Sequence, residues 1–469
     1  MTTTTRATTR WNPTRDRDRR IRTRRRLRSG DLLLIAFWTS VALAVGLYLA
    51  YGGLSSVASP SSLIDAVGIT AGLIGTNLIL VMLLIAARIP IIDRAVGQDV
   101  AMAFHRRLGK PALYLLLAHF ALLTVGWAMA DGQSVVVETV TMFTTPDMAF
   151  AYLGLGLLIV VVVSSLVAVR RRFPYEAWHA IHLLSYAAVL VAVPHQLSVG
   201  GVLAEGTWQR TYWIILYVLA FAAVACFRFA VPIVRSFRHG IRVAGIENVA
   251  TGVYSIHLTG RDLDHLRING GQYAIWRFWS AGTWWHAHPI SFSAVPTDTS
   301  ARITVRELGA GTARLSRLRP GTPVSIEGPY GVFTDVTRTS PHLAIIAAGI
   351  GVTPARALLE HSSLAPGEAT LLLRGTDENQ NYLWDETIAL ATASRGRAYT
   401  MTGRRPATLD TWMSADDYRR GVTLGSTFPD LASSDLYICG PQAWSDLVVA
   451  DAQAAGLRDE QIHVERFDW

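Results

Sequence analysis

Six long apolar runs occupy the first half of the chain, near residues 31–52, 64–87, 111–130, 147–169, 177–198 and 212–235. Each is close to the ~20 residues that cross a bilayer core, so the pattern predicts six transmembrane helices. The first run follows a cluster of arginines, as a signal peptide would. It is long, however, and further spans follow without a clear cleavage site, so it is read as a true first helix. From about Arg238 the pattern changes. Short runs between Gly and Pro turns (VYSIHLTG, ARITVREL, TPVSIEGPYG) predict antiparallel strands. The succession HLAIIAAGIGVTPARALLEH, ATLLLRG and DLYICGP predicts strands alternating with helices. The expected fold class is a six-helix transmembrane α bundle, then an antiparallel β-barrel, then a doubly wound α/β domain.

Composition agrees and adds an orientation. Of 469 residues, 51% are hydrophobic and 17% charged, against roughly 25% charged in ordinary globular chains, which excludes a disordered chain. The net charge of +8 is confined to one end: residues 1–30 hold eleven Arg and two Asp, a sum of +9, which leaves about −1 for the rest. A basic terminus without interleaved aromatics fits a retained cytoplasmic end or an anionic lipid surface better than nucleic acid. Arg88, Arg94, Arg106, Arg107 and Lys110 lie between spans two and three, and Arg170, Arg171 and Arg172 between spans four and five. Loops 53–62, 131–146 and 199–210 carry only Arg210. The positive-inside rule then puts both termini in the cytoplasm of a multi-pass integral membrane protein. Two cysteines, Cys226 and Cys439, are too few for a disulfide scaffold or a thiolate-held iron–sulfur cluster.

Ionisable residues inside spans mark functional sites by default. His105 and His119 lie 14 residues apart in span three, and His182 and His195 lie 13 apart in span five, with His179 beside them. These separations are ~21 and ~20 Å of helix, so two stacked sites each bridged by one His per helix are expected. Imidazole pairs suit haem iron as axial ligands; the same side chains also serve as polar groups packed between helices. Fourteen steps at ~100° return a side chain to within about 40° of its start, whereas thirteen leave it about 140° away. Span five must therefore be distorted, and Pro194 supplies a kink.

FHRRLGKPALYLLLAH at 104–119 and PYEAWHAIHLLSYAAVLVAVPH at 174–195 resemble the transmembrane part of the ferric reductase and NADPH oxidase superfamily. That resemblance implies two bis-histidine b haems, with His105 and His182 on the inner haem and His119 and His195 on the outer one. A flavin is then the expected converter between a hydride donor and one-electron haems.

In the second half, G-Q-Y at 271–273, H-P-I-S-F-S at 288–293, R-E-L-G-A-G-T-A-R-L at 306–315 and G-P-Y-G at 328–331 are similar to the FAD domain of the ferredoxin–NADP reductase superfamily. The resemblance implies an FAD site of Tyr273, His288, Pro289, Ser291, Arg306, Gly311 and Thr312. Within it His288 and Arg306 face the FAD phosphates, Ser291 the flavin ring, and Gly311 and Thr312 the pyrophosphate, at a Gly-rich helix start suited to anions. Ile290 stands where the family has an aromatic residue. A-A-G-I-G-V-T-P at 347–354 with C-G-P at 439–441 implies a nicotinamide site of Gly349, Gly351, Thr353, Pro354, Cys439, Gly440 and Pro441, Cys439 lying beside the ring. Arg374, Arg404 and Arg405 are candidates for the 2′-phosphate that separates NADPH from NADH, and surface solvation is their alternative. Phe467 and Trp469 are the candidates for a C-terminal aromatic that covers the flavin.

The expected organisation is a disordered basic cytoplasmic tail over 1–30, a ferric reductase-like transmembrane haem domain over 31–236, an FAD-binding barrel over 237–338 and an NAD(P)-binding α/β domain over 339–469. The expected function is an NAD(P)H-dependent oxidoreductase with FAD and two haem b, using NADPH or alternatively NADH. It would carry electrons across the lipid bilayer to oxygen or a ferric chelate outside, with no nucleic-acid partner. The alternative is a membrane relay that donates to a partner protein.

Overall fold

A computed structural model of the chain describes residues 13–199, 201–377, 381–406 and 408–466. It separates into two compact units, one built from Gly30–Ile92 and Gln98–Ala230, the other centred on the chain from Val231 onward.

The helical unit begins within α1 (Pro13–Ala50). The tail expected to be disordered is helical from Pro13, consistent with the good helix propensity of its many arginines. α2 (Pro60–Ala86) starts at an Ser59 N-cap whose side chain accepts from the Ser62 amide, with Pro60 in the first turn. α3 (Gln98–Asp131) begins well before the expected third span and includes Pro111 without ending there. α4 (Val135–Thr144) and α5 (Met148–Ser164) meet at a 109° bend, so the fourth span is one arm of a bent pair. α6 (Tyr175–Val191) and α7 (Val193–Ser198) are separated at Ala192. That break lies two residues before Pro194, whose missing N–H cannot bond back into the preceding turn. α8 (Trp208–Val224) leads through a π-helical turn, Ala225–Ala230, to α9 (Val231–His239). Among the described residues five helices are long and apolar enough to cross a membrane, and six spans result if the bent pair counts as one.

The bundle interior joins Ala44 and Tyr48 of α1, Leu80 and Leu83 of α2, Val189 of α6 and Trp213 and Val224 of α8. Small residues set the closest approach. A Cβ on Gly68 or Gly75 would meet Leu122, Leu123, Leu115 or Leu116 of α3 at 3.0–3.3 Å, and one on Gly154 would lie 2.9 Å from the Ala188 carbonyl. This is the small-residue packing that lets membrane helices touch.

In the second unit, β1 (Arg242–Ala250), β2 (Val253–Thr259) and β5 (Ser300–Arg306) form one antiparallel sheet, in the order β1-β2-β5. β3 (Tyr273–Phe278), β4 (His288–Ser291) and β6 (Val324–Tyr330) form another, in the order β4-β3-β6. Isolated bridges at Phe292–Ile303 and Arg242–Pro323 connect them. The strands therefore make two small sheets around one core of Ile256, Trp276, Phe278, Phe292 and Ile303, where a closed barrel was expected. Pro289 and Pro323 lack the N–H that a continuous ladder needs at those edges. A short helix, α10 (Ala310–Leu315), follows β5.

The rest is a five-stranded parallel sheet of β7 (His342–Ala348), β8 (Ala369–Gly375), β9 (Arg397–Thr402), β10 (Ser434–Cys439) and β11 (Ile462–Glu465), in the order β11-β10-β7-β8-β9. β8 and β10 are buried along their whole length, as strands covered on both faces must be. Leu343, Ile345 and Leu371 pack on one face with α11 (Val352–His361) and α12 (Trp384–Ala393). Ala344, Ile346 and Leu436 pack on the other with α13 (Gln442–Ala454).

Candidate functional site

In the helical unit, α3 and α6 bring His105 and His182 together, with ring centroids 6.1 Å apart and planes at 63°. His119 and His195 lie within electrostatic reach of each other, and His195 follows the break at Ala192. The Nδ1 atoms are held in a consistent way. His105 Nδ1 is 3.3 Å from the Met82 carbonyl and His119 Nδ1 is 2.9 Å from the Gly68 carbonyl. A carbonyl only accepts, so each Nδ1 carries the hydrogen. His182 Nδ1 is 3.3 Å from Ser165 Oγ, which already donates to the Val161 carbonyl at 2.7 Å and accepts from Trp178 Nε1 at 3.3 Å. His182 Nδ1 therefore donates as well. In all three rings Nε2 is left with its lone pair, the form that ligates a metal. The His119 ring also occupies the space a side chain at position 72 would need: a Cβ on Gly72 would lie 2.5 Å from Nδ1. Trp178 stacks on His182 at 5.2 Å, and the Arg170 guanidinium lies 4.4 Å above Trp178.

In the second unit, β3 pairs Tyr273 with both Ser291 and Tyr330, and the two tyrosine rings are 5.9 Å apart. His288 and Ser291 stand at opposite ends of β4, and His288 Nε2 and Ser291 Oγ are buried without a hydrogen-bond partner among the described residues. Burial, with His286 and Arg277 nearby, lowers the His288 pKa to about 4, so its ring is neutral at pH 7. A Cβ on Gly311 would come 3.5 Å from His288 Cε1, so the start of α10 lies against that ring. Thr312 caps the turn by accepting from the Leu308 amide at 2.9 Å, and Tyr254 donates to the Thr312 carbonyl. Arg306 ends β5 with its Nη1 only 3.9 Å from where a Cβ on Gly349 would be.

β7 and β10 are neighbours, with Ala347 opposite Cys439. The turn after β7 therefore meets the end of β10. A Cβ on Gly351 would lie 2.2 Å from the Cys439 carbonyl, so only glycine permits the approach. Gly440 is similarly confined between Trp444 and Ala348, and Pro441 precedes the first turn of α13. Thr353 donates to the Ile350 carbonyl at 2.9 Å, and Pro354 sits in the first turn of α11. The strand order reverses between β7 and β10, the place where parallel sheets bind ligands at their carboxyl ends. Cys439 is fully buried, and burial with Glu465 nearby pushes its thiol up, so it remains protonated.

Arg374 is buried and donates to the Gly375 carbonyl and, at 2.5 Å, to the Gly403 carbonyl. It braces the backbone beside exposed Arg404 and Arg405. Phe467 and Trp469 lie outside the described residues. Sequence reasoning missed Ser165 and Trp178, which orient His182, and Tyr382, whose buried hydroxyl lies 3.7 Å from the Cβ position of Gly349. Trp178 lies within the 174–195 segment quoted above, and no motif marks Ser165 or Tyr382.

The family described as ferric reductase like transmembrane component matches residues 71–193. Ferredoxin--NADP reductase B of Sorangium cellulosum is 34% identical over 180 residues, which cover 35% of this chain and 70% of the relative. A flavohemoprotein of Xylella fastidiosa is 29% identical over 206 residues, covering 42% of this chain and 50% of that protein. The flavohem-like FAD/NAD binding domain of a Vibrio cholerae nitric oxide dioxygenase aligns at 22% identity and a TM-score of 0.40, over 49% of this chain and 99% of that one. This chain thus spans about half the length of the flavohemoprotein it matches. Through its C-terminal half it belongs to the ferredoxin–NADP reductase family, joined to a ferric reductase-like transmembrane domain.

Proposed function

We propose that the protein is an NAD(P)H-dependent transmembrane oxidoreductase that moves electrons from cytoplasmic NAD(P)H, by way of FAD and two b haems, to oxygen or ferric iron on the other side. FAD and haem, when bound, supply the conversion of a two-electron donor into single electrons and a path through the apolar core. The observation that carries the reading is the common Nδ1–H state of His105, His119 and His182, which leaves three Nε2 lone pairs on two adjacent helices. These residues fit two bis-histidine haem sites, His105 with His182 and His119 with His195.

The remaining residues act by binding and orienting. Neutral His288 and Ser291 offer unpartnered polar atoms to the phosphates and ring of FAD. Tyr273 fits the flavin side, with Pro289, Gly311 and Thr312 shaping the turn around it. Gly349, Gly351, Thr353, Pro354, Gly440 and Pro441 shape the nicotinamide side, where protonated Cys439 is a neutral contact and not a nucleophile. Exposed Arg404 and Arg405 are the groups free to meet a 2′-phosphate, held in place by Arg374. The loop charges support a cytoplasmic position for both termini.

Inverted membrane vesicles given NADPH, with superoxide formation and ferric-chelate reduction measured side by side, test the function. Reduction of either acceptor identifies the substrate class. Reduction of neither, in vesicles whose flavin is reduced, favours donation to a partner protein. A reduced-minus-oxidised spectrum without b-type bands would remove the haem assignment.

A further inference from the structure

The chain passes from β3 to β4 through a loop, Trp279–Ala287, that turns three tryptophans outward: Trp279, Trp284 and Trp285 are 51, 52 and 43% exposed. The loop is built to hold them there. Thr283, which is buried, donates to the Phe278 carbonyl at 2.9 Å, and its amide donates to the Ser280 carbonyl at 3.1 Å. Arg277 donates to the Trp284 carbonyl at 3.0 Å, and Arg314 of α10 donates to the Gly282 carbonyl at 3.1 Å. The Trp284 and Trp285 rings meet edge to face at 5.4 Å. Large apolar groups fixed outward in one place mark a surface that is covered in use.

The path of the chain says what covers it. The helical stretch Trp208–His239 is 32 residues long, whereas ~20 cross a bilayer core, so its last turns, which include α9, reach past the core into the headgroup layer. One face of α9 is bonded to β6: Arg235 donates to the Gly328 carbonyl, and Ser236 Oγ accepts from the Ile326 amide at 3.4 Å. The other face leaves Ile233, Val234 and Phe237 exposed, the division expected of a helix at a membrane surface. The tryptophan loop is anchored on the same strand. Trp279 donates from its amide to the Pro323 carbonyl at 2.9 Å and from Nε1 to Ser325 Oγ at 3.1 Å, one residue along β6 from the Ser236 contact. Residues 277–287 and 310–323 contain Arg277, Arg314, Arg317 and Arg319 but no Asp or Glu, and the last three arginines are exposed. Indole rings flanked by cations alone complement the boundary between acyl chains and anionic headgroups. We propose that the Trp279–Ala287 loop lies in the headgroup layer of the leaflet from which span six emerges, with its tryptophans at the acyl boundary and the neighbouring arginines on lipid phosphates. The inference rests on reading Trp208–His239 as a membrane span, and it holds whichever side that span faces.

The test uses full-length protein carrying Cys226→Ser, in nanodiscs of phosphatidylcholine and phosphatidylglycerol, with an environment-sensitive fluorophore attached through Ala281→Cys in the loop. Two further attachment sites serve as references: Tyr418→Cys, an exposed position in the second unit, and Val218→Cys, an exposed position within span six. The label at 281 should lose fluorescence to lipid spin-labelled near the headgroup, and iodide should quench it several-fold less than the label at 418. Adding Trp284→Ser and Trp285→Ser should remove most of the lipid quenching while FAD content stays unchanged. Discs of phosphatidylcholine alone should quench the loop less, and equal quenching there would overturn the part assigned to the arginines. A label at 281 that iodide reaches as freely as the one at 418, and that lipid does not quench, would overturn the inference. Shielding from both quenchers, with FAD lost in the tryptophan variant, would overturn it in favour of a loop that covers the flavin. The label at 218 should be quenched by lipid spin-labelled along the acyl chain; if it is not, the membrane span and the inference fall together.

Discussion

His288 shows how burial decides what a side chain can do. Its pKa of about 4, against 6.5 for a free imidazole, means that the unfolded chain binds a proton between those values and the folded chain does not. Stability rises with pH in that window, so what is present above pH 6.5 is lost as pH falls towards 4, by about 3 kcal/mol at the limit. FAD-free wild type should therefore lose more stability between pH 7 and 4.5 than His288→Asn does, measured by denaturant unfolding at each pH; parallel curves would refute it. Cys439 gives a second residue-scale expectation. Because burial and Glu465 keep it a thiol, iodoacetamide at pH 8 should leave it unmodified in native protein and label it after unfolding, as read by mass spectrometry. The motif residues were legible because Gly-rich turns and histidines in apolar runs are rare in sequence. Ser165 was not, since it acquires its role from a partner supplied by the fold, the His182 ring.

At the level of elements, span lengths were legible because apolar length is what a bilayer measures. Bends were less so. The break in span five followed from a spacing that a straight helix cannot accommodate, together with Pro194. The 109° bend between α4 and α5 turns on Thr145–Asp147, with Asp147 at φ 65; Pro146 marks the break there, but nothing in the sequence gives its angle. Helix contact depends on small residues at particular places. Gly72→Ala would put a methyl 2.5 Å from His119 Nδ1, so α2 must move or the ring must turn. Haem content should fall from two towards one per FAD, by pyridine haemochrome assay, with FAD unchanged. Between the two sheets of strands and the parallel sheet, Glu386 of α12 binds Arg302 of β5 at 2.9 Å and Arg356 of α11 at 2.5 Å, and Arg356 also donates to the Ser293 carbonyl at 3.0 Å. Ser293 is two residues from Ser291, so this network links the sides proposed for flavin and for nucleotide. Glu386→Gln should cost about 1–2 kcal/mol, between exposed and buried pairs. It should slow flavin reduction by NADPH in stopped flow more than it weakens NADP+ binding. A change in binding alone would show that the network does not set the approach of the two sides.

For the whole molecule, the charge distribution gives a direction. In the proposed orientation the Arg-rich end and the basic loops share the cytoplasmic side, so the excess positive charge of the chain serves as an address. His119 lies deeper in its helix than His105, and His195 follows the break in its span, so under the proposed orientation the second pair is the one nearer the opposite side. If electrons leave from that side, losing this pair should interrupt the route at its far end and spare everything before it. Ala at His119 or at His195 should therefore remove about half of the b-type absorbance and bring external reduction of oxygen or ferric chelate to background, while flavin reduction by NADPH proceeds at the wild-type rate. Ala at His105 or His182 should also abolish external reduction, with the residual haem no longer reduced by NADPH. The two outcomes differ only if the pairs act in series, so an equal spectral response of the remaining haem in both sets would show two parallel sites, and full external activity in either would show that the histidines are structural.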